Sequence, residues 1–508
     1  MQQLNKQVLQ KEQGMEELPE RIIQFGEGNF LRGFVDWMVH ELNKQDLFNG
    51  RIVAIQPTPH GKVVPVLNAQ DGLYTLALRG VEKESVINKL EIISSISRGI
   101  NPYEDWNEVI NLAENPQIQF VFSNTTEAGL TYVKEKLIPG RSSLSFPGKL
   151  TAFLYHRYQV LGDSKASAMI IVPCELLEDN GSLLEKTVLQ IAKDWGLPDA
   201  FSGWIQEHNQ FCNTLVDRIV TGYPKDQIED FRNCLGYEDA LLTVGEPYHL
   251  FAIEADEEVA ELLPFHRAGL NVHWAQVKPF RESKVRILNG AHTLMVPVAF
   301  LAGKNTVLET MEDESLRQFV LKGIYQEILP CLSVDEEQKK RFADSVIDRF
   351  LNPFSHHFLS DIAVHSFAKC KVRLLPTLLD TVQQRNRLPE AVTFSFAALL
   401  LLYRGRRITD NQLAGYRGEE EYIIRDEPEV LVFVEEAWSF YKEDTGEQVE
   451  KVVEMIGGRE ALWGTNLNQV PCLVESISNN VNRILQLGMR QALDELLQGE
   501  DYLYSNSE

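Results

Sequence analysis

Lys284, Asn289 and His292 lie within nine residues of one another, in Lys284-Val-Arg-Ile-Leu-Asn-Gly-Ala-His292. Reduction of a carbonyl by hydride transfer needs a proton donor for the nascent alkoxide and a dipole to stabilise it. A lysine whose pKa is lowered by burial serves as acid and base near neutrality. An asparagine amide polarises a carbonyl oxygen, and a histidine orients the substrate or the lysine. On an α-helix Asn289 stands about 140° and His292 about 80° around from Lys284, so one cleft can receive all three. Each alone also has an ordinary reading: a solvated lysine, a capping asparagine, a core histidine.

Two short segments concentrate positive charge. Arg281, Lys284 and Arg286 lie in one, Lys369, Lys371 and Arg373 in the other. The chain as a whole carries 49 lysines and arginines against 73 aspartates and glutamates, a formal charge of −24. Its overall field repels anions, so an anionic ligand must be met by local cations. Lys369 and Arg373, four residues apart, share a face if their segment is helical. Arg373 could then take a carboxylate bidentately, with Lys369 adding a point charge or holding a hydroxyl. A solvated or salt-bridged helix face is the alternative.

These groups need a scaffold. Residues 21–25 (RIIQF), 51–56 (RIVAIQ), 118–123 (IQFVFS) and 168–173 (AMIIVP) read as buried strands, with helical patterns such as 30–43 between them. Such alternation over the first 275 or so residues is the pattern of a parallel α/β sheet. Gly26-Glu27-Gly28 follows the first strand and precedes a helix beginning near Asn29. A turn of this kind lets a backbone approach a pyrophosphate, with the helix N-terminus supplying unpaired N–H groups. The third glycine position holds Leu31, so a tight turn without a ligand also fits. The second strand ends in Gln56, where an acidic residue would read a ribose. An amide can still bond a ribose and does not repel a 2′-phosphate, which leaves NAD and NADP both open. Ser123-Asn124-Thr125-Thr126-Glu127 closes another buried strand, on the side where open sheets bind ligands.

At 508 residues two domains are expected. The boundary falls near 279: 1–279 as a Rossmann-type α/β domain, and 280–508 as a mostly helical domain with apolar or amphipathic stretches at 284–303, 313–330, 389–403 and 469–498. The junction is not rich in Pro or Gly, which predicts a rigid two-domain body with its cleft there. The strong negative charge argues against nucleic-acid or anionic-membrane partners. The longest apolar run, 394–403, is about half the ~20 residues of a membrane helix. The N-terminus lacks a signal peptide's apolar core, so a cytoplasmic location is expected. Six cysteines show no C-x-x-C pair, and no segment has zinc-site spacing.

Phe25-Gly-Glu-Gly-Asn-Phe-Leu-Arg32, Thr125-Thr-Glu127, Val216-Asp-Arg-Ile219 and the Lys284–His292 segment, in this order and spacing, resemble the polyol-specific long-chain dehydrogenases, the mannitol dehydrogenase family. Pro173-Cys-Glu-Leu176, Leu215-Val-Asp-Arg-Ile-Val-Thr-Gly-Tyr-Pro224 and Arg349-Phe-Leu-Asn-Pro-Phe354 look most like the branch that reduces hexuronate ketones. The resemblance implies an NAD-dependent oxidoreductase acting on a small sugar acid, with no catalytic metal. It implies Lys284 as acid/base, Asn289 at the oxyanion and His292 against the substrate. It also implies Asp217, Lys369 and Arg373 as substrate contacts, and Phe25, Gly26, Gly28, Asn29, Phe30, Gln56, Thr125 and Glu127 as cofactor contacts. Where the mannitol branch has S-C-D followed by a second oxyanion asparagine, this chain has Pro173-Cys174-Glu175-Leu176. That donor is absent, or comes from Asn180 or elsewhere. Glu282 is the one candidate for an acidic residue preceding the lysine segment.

Three rival readings remain. Tyr132 and Lys136 have the Tyr-x-x-x-Lys spacing of short-chain dehydrogenases, but the matching glycine pattern is missing and the chain is about twice the needed length. A methyltransferase also places G-x-G after its first strand, yet wants an acidic residue where Gln56 stands. A non-enzymatic NAD sensor would have no use for Lys, Asn and His on one helical arc. Within the family, a mannitol- or fructuronate-type activity is the alternative.

Overall fold

The computed structural model describes residues 1–9, 17–442 and 448–498. The chain divides into two compact units, Met1–Arg79 with Val86–Phe280, and Gly80–Ser85 with Arg281–Glu508.

In the first unit, six parallel strands form the main sheet: β1 (Glu20–Phe25), β2 (Arg51–Ile55), β3 (Ile96–Ile100), β4 (Phe120–Ser123), β5 (Ile170–Pro173) and β6 (Gln210–Phe211). Their order is β3-β2-β1-β4-β5-β6, the doubly wound order of dinucleotide-binding sheets. All four strands expected from the sequence are present in it. Alternation along the strands feeds two cores. Ile22, Ile52, Ala54, Phe120 and Phe122 face one side, and Ile23, Phe25, Val53, Ile55 and Val121 the other.

The order reverses between β1 and β4, where Phe25 pairs with Ser123. Such a switch point leaves a crevice at the strands' C-terminal ends. The helix expected over 30–43 is broken into α1 (Asn29–Arg32) and α2 (Val35–Asn43) at Gly33-Phe34. An added Cβ at Gly33 would meet Val220 at 2.9 Å, so a neighbouring strand closes on the break. Smaller sheets of two, three and four strands accompany the main one, including the long hairpin strands Tyr74–Glu82 and Ser85–Ile93.

The second unit is mostly helical. Its core runs through α3 (Gly290–Leu301), α4 (Glu336–Phe350), α5 (Leu359–Ile362), α6 (Ser366–Arg373), α7 (Leu375–Arg385) and α8 (Glu390–Leu402). The apolar run at 394–403 lies in and just past α8, whose residues from Ala391 to Leu402 are all buried. It is a core helix, and among the described residues no helix is long and apolar enough to cross a membrane. The unit also contains a three-stranded antiparallel sheet, β7 (Gly405–Thr409), β8 (Gln412–Arg417) and β9 (Glu420–Arg425), which the sequence reading did not anticipate.

Candidate functional site

The candidate side chains form two sets, one in each unit. In the first, the loop after β1 and the loop after β4 meet at the switch point. Gly26 N–H donates to Ile55 O at 3.0 Å and Asn124 N–H to Phe25 O at 3.1 Å. Gly26 has φ +127°, and a Cβ there would stand 2.8 Å from Asn124 O. Both the conformation and the close approach demand glycine. Gly28 is different. It is exposed, with φ −71°, and a Cβ would meet nothing within 4 Å. Neither the fold nor the backbone of this unit requires glycine at that position. Open space over Gly28 and the α1 N-terminus is what a pyrophosphate approaching a backbone needs.

Phe25 is buried beneath this loop, Asn29 is exposed, and Phe30 stacks on Phe34 with centroids 5.0 Å apart. Arg32, which no spacing rule singled out, braces the loop from below. It is 3% exposed and donates to Glu27 O, to Asn29 Oδ1 at 2.6 Å and to Thr243 Oγ1 at 3.3 Å. Thr125 is held by Glu175, whose Oε1 accepts from Thr125 N at 2.9 Å and Thr125 Oγ1 at 3.0 Å. Its Oε2 accepts from Ser123 Oγ at 3.0 Å. Burial pushes the Glu175 carboxyl up despite these bonds. Glu127 begins a 3₁₀ turn, Glu127–Leu130, and its side chain lies outside the described residues.

Gln56 differs from its expected role. It is fully buried, its Nε2 donates to Thr58 O at 2.7 Å, and Gly61 closes over it so tightly that a Cβ would stand 2.4 Å from its Cδ. The exposed turn Thr58–His60, not the Gln56 amide, is what the end of β2 presents. Asn180 is likewise spent. Its Nδ2 faces Pro173 O, Glu175 O and Thr214 Oγ1 at 2.9–3.1 Å, and its Oδ1 accepts from Gly181 and Thr214 N–H groups, so the amide is engaged within the protein. Asp217 ends the strand Thr214–Asp217 and is buried. Its neighbour Arg218 caps the indole of Trp37 at 4.2 Å and donates to Gly33 O at 2.8 Å, tying this strand to the α1–α2 break. Tyr132 is a surface residue whose hydroxyl donates to Asp194, which leaves its spacing to Lys136 without a catalytic setting.

In the second unit, Lys284–Asn289 is a π-helical turn running into α3, not the α-helix expected. The i→i+5 pattern appears in the Gly290 N–H bonded to Val285 O. A π-turn spends five residues where an α-turn spends four, so Lys284 and Asn289 bracket one turn and come nearer to one face than α geometry brings them. Both are half-buried. Glu282, by contrast, is exposed. Arg286 points elsewhere: it is 7% exposed, bonds Thr377 Oγ1 at 3.0–3.2 Å and pairs with Asp380 at 2.9 Å. It fastens the π-turn to α7 and drops out of the anion-binding set. Lys371 lies beside Gly464, its Cε 3.2 Å from where a Cβ there would stand.

His292 lies between two rings, Phe350 at 4.6 Å and His357 at 4.9 Å between centroids. Its Nε2 is enclosed without a hydrogen-bond partner. Burial, followed by His357, Arg349, Arg373 and Lys369, holds its pKa well below the usual histidine range, so the ring is neutral at neutral pH. Lys369 and Arg373 thus act on His292 from one face of α6. Lys369 Nζ donates to Ile362 O at 2.8 Å and Arg373 Nη1 to Thr293 Oγ1 at 3.3 Å. Burial lowers the pKa of both, and the neighbouring Arg373 adds to the lowering at Lys369. Arg349 and His357 complete the cluster, and the sequence reading assigned neither. Among the described residues, no three His, Cys, Asp or Glu side chains converge as a metal site.

Residues 20–266 match the mannitol dehydrogenase Rossmann domain, and residues 276–485 the mannitol dehydrogenase C-terminal domain. An altronate oxidoreductase of Halalkalibacterium halodurans is 48% identical over 95% of this chain and 94% of its own length. One from Bacillus subtilis is 42% identical over 97% and 98%. A D-sorbitol dehydrogenase structure superposes with TM-score 0.76 at 20% identity, covering 97% of this chain and all of that one. Pseudomonas fluorescens mannitol 2-dehydrogenase, solved with NAD and D-mannitol, gives 0.62 at 20% identity over 98% and 99%. Carrying both domains of the family from the first parallel strand to the last long helices, this chain belongs to the mannitol dehydrogenase family.

Proposed function

We propose that this protein is an NAD-dependent oxidoreductase that interconverts a hexuronate ketone and its alcohol, reducing tagaturonate to altronate. The observation that carries the sugar-acid reading is the cluster around His292. Four further basic side chains, Arg349, His357, Lys369 and Arg373, bear on one neutral imidazole in a chain of charge −24. A neutral polyol gives no reason to gather them, whereas a carboxylate does. The names of the relatives at 48% and 42% identity point the same way.

The nicotinamide cofactor, when bound, supplies or accepts the hydride. The residues of this chain do the rest. The Gly26–Asn29 loop and the Ser123–Thr125 segment hold the dinucleotide at the switch point. Lys284 delivers the proton to the carbonyl oxygen in reduction and takes it back in oxidation. Asn289 stabilises the developing oxyanion with its amide N–H. His292, neutral, accepts or donates one hydrogen bond to a substrate hydroxyl and adds no charge of its own. Lys369 and Arg373 hold the acid end, with Asp217 as a further substrate contact. NADH is the preferred donor, since the segment after β2, Pro57 to Lys62, offers no arginine for a 2′-phosphate.

The test is the loss of NADH absorbance with tagaturonate and with fructose, repeated with NADPH. Faster turnover of tagaturonate with NADH is the expected result. Faster turnover of fructose would overturn the substrate, equal efficiency with NADPH the cofactor preference, and binding without any turnover the enzyme reading itself.

A further inference from the structure

His357 and His356 are adjacent and part company. His356 is exposed, while His357 turns inward and meets the His292 ring edge to face, 4.9 Å between centroids at an interplanar angle of 74°. The backbone around His357 is fixed on both sides. Its carbonyl accepts from Val307 N–H at 3.0 Å, Phe358 bridges to Thr306, and Leu359 N–H donates to Asn305 O at 2.8 Å. A loop between α4 and α5 therefore holds this imidazole in place against His292.

We propose that His357 is a specificity-determining residue, which by standing beside His292 and within the influence of Arg349 binds the acid end of the substrate as an imidazolium. This rests on the sugar-acid reading above and extends it to a residue outside the expected set. The unpartnered Nε2 of His292 marks the place as one built for a ligand, since an enclosed ring nitrogen without a partner is costly in the free protein.

The charged and titratable groups facing His357 come from three elements: Arg349 of α4, Asp361 of α5 and His292 of α3. Burial and Arg349 hold the His357 pKa below its ordinary value, with Asp361 opposing them. The free protein at neutral pH thus carries His357 neutral. A carboxylate arriving beside it reverses the balance, because an opposite charge at close range favours the protonated ring. Binding of the acid substrate then takes up a proton, and a neutral substrate takes up none. By linkage the affinity for the acid rises as pH falls toward the free-state pKa, by at most about tenfold per pH unit.

The experiment measures KM and kcat for tagaturonate from pH 6 to 8.5 in the wild type, His357→Gln and His357→Lys. In the wild type KM should fall as pH falls. His357→Gln should raise KM at pH 6 by about tenfold and flatten its pH dependence, with kcat within about twofold. His357→Lys, permanently charged, should give a low and equally flat KM, which also excludes loss of folding as the cause. A wild-type pH slope surviving in His357→Gln, or a loss in kcat with KM unchanged, would overturn the proposal and leave His357 as packing for His292. Absence of tagaturonate turnover in the wild type would overturn the sugar-acid reading, and this one with it.

Discussion

Glu175 grips Thr125 twice, accepting from its backbone N–H at 2.9 Å and from its hydroxyl at 3.0 Å, and so fixes the loop after β4 beside Gly26. The carboxylate is buried, and removing it leaves two Thr125 donors and the Ser123 hydroxyl without this acceptor. Glu175→Ala should weaken NADH binding by roughly tenfold, the worth of one or two such bonds. The affinity of the second unit's sites for an anion should not change. NADH fluorescence titration checks this, and an unchanged Kd would make Glu175 a packing residue only.

The two loop glycines separate fold from ligand. Gly26→Ala forces a Cβ to 2.8 Å from Asn124 O at φ +127°, so it should destabilise the first unit by about 1–3 kcal/mol. A Cβ at Gly28 meets no protein atom within 4 Å, and φ there is ordinary, which makes Gly28→Val the matching substitution. It should leave Tm unchanged and still abolish most NADH affinity. Full NADH binding by Gly28→Val would remove the pyrophosphate from this loop.

Arg373 and Arg286 make a paired test of the cations. Arg373→Ala should raise KM for tagaturonate some thirtyfold, about 2 kcal/mol for a lost charge-assisted pair, with little change for fructose. Arg286→Met breaks the buried pair with Asp380 and should lower Tm instead, with the tagaturonate-to-fructose preference intact. Equal losses on both substrates in Arg373→Ala would make that residue structural.

His249 sets an acid limit on stability. Its Nδ1 faces Pro247 O at 3.2 Å and its Nε2 accepts from Asn271 N–H at 2.9 Å, so the ring is neutral with the proton on Nδ1. Burial, and Arg218 after it, push its pKa down to about 3. The unfolded chain binds a proton near pH 6.5 and the folded one does not, so stability falls as pH drops below about 6.5 and goes on falling toward about 3. Thermal unfolding at pH 7.5 and 5.5 should show a drop in Tm that is smaller in His249→Asn. An identical drop in the variant would clear His249 of the effect.

Much of this was legible in the residues. The four main strands were, because each is a short buried run bounded by turn residues. The Gly26–Gly28 turn, and Lys369 with Arg373 on one face of α6, followed from local spacing. What escaped is non-local or close in energy. Periodicity does not separate an α-turn from a π-turn at Lys284–Asn289. The three-stranded sheet at 405–425 hides in charged, alternating residues, although Asp410-Asn411 is a turn signal between β7 and β8. Gln56 is buried by a glycine turn five residues on. Arg32, Arg218 and Glu175 brace loops through partners far along the chain. Arg286 was readable, since two residues from Lys284 it cannot share that residue's helix face. His357 was hidden by its twin, because only the fold decides which of two adjacent histidines turns inward.

The most direct test of the central claim is the rate of tagaturonate reduction by NADH in Lys284→Ala against the wild type. The expected result is an intact fold, unchanged NADH affinity and turnover lower by roughly 10²–10⁴-fold, the usual worth of a positioned proton donor. Turnover above a tenth of the wild-type rate would contradict it, and Lys284 would not be the acid.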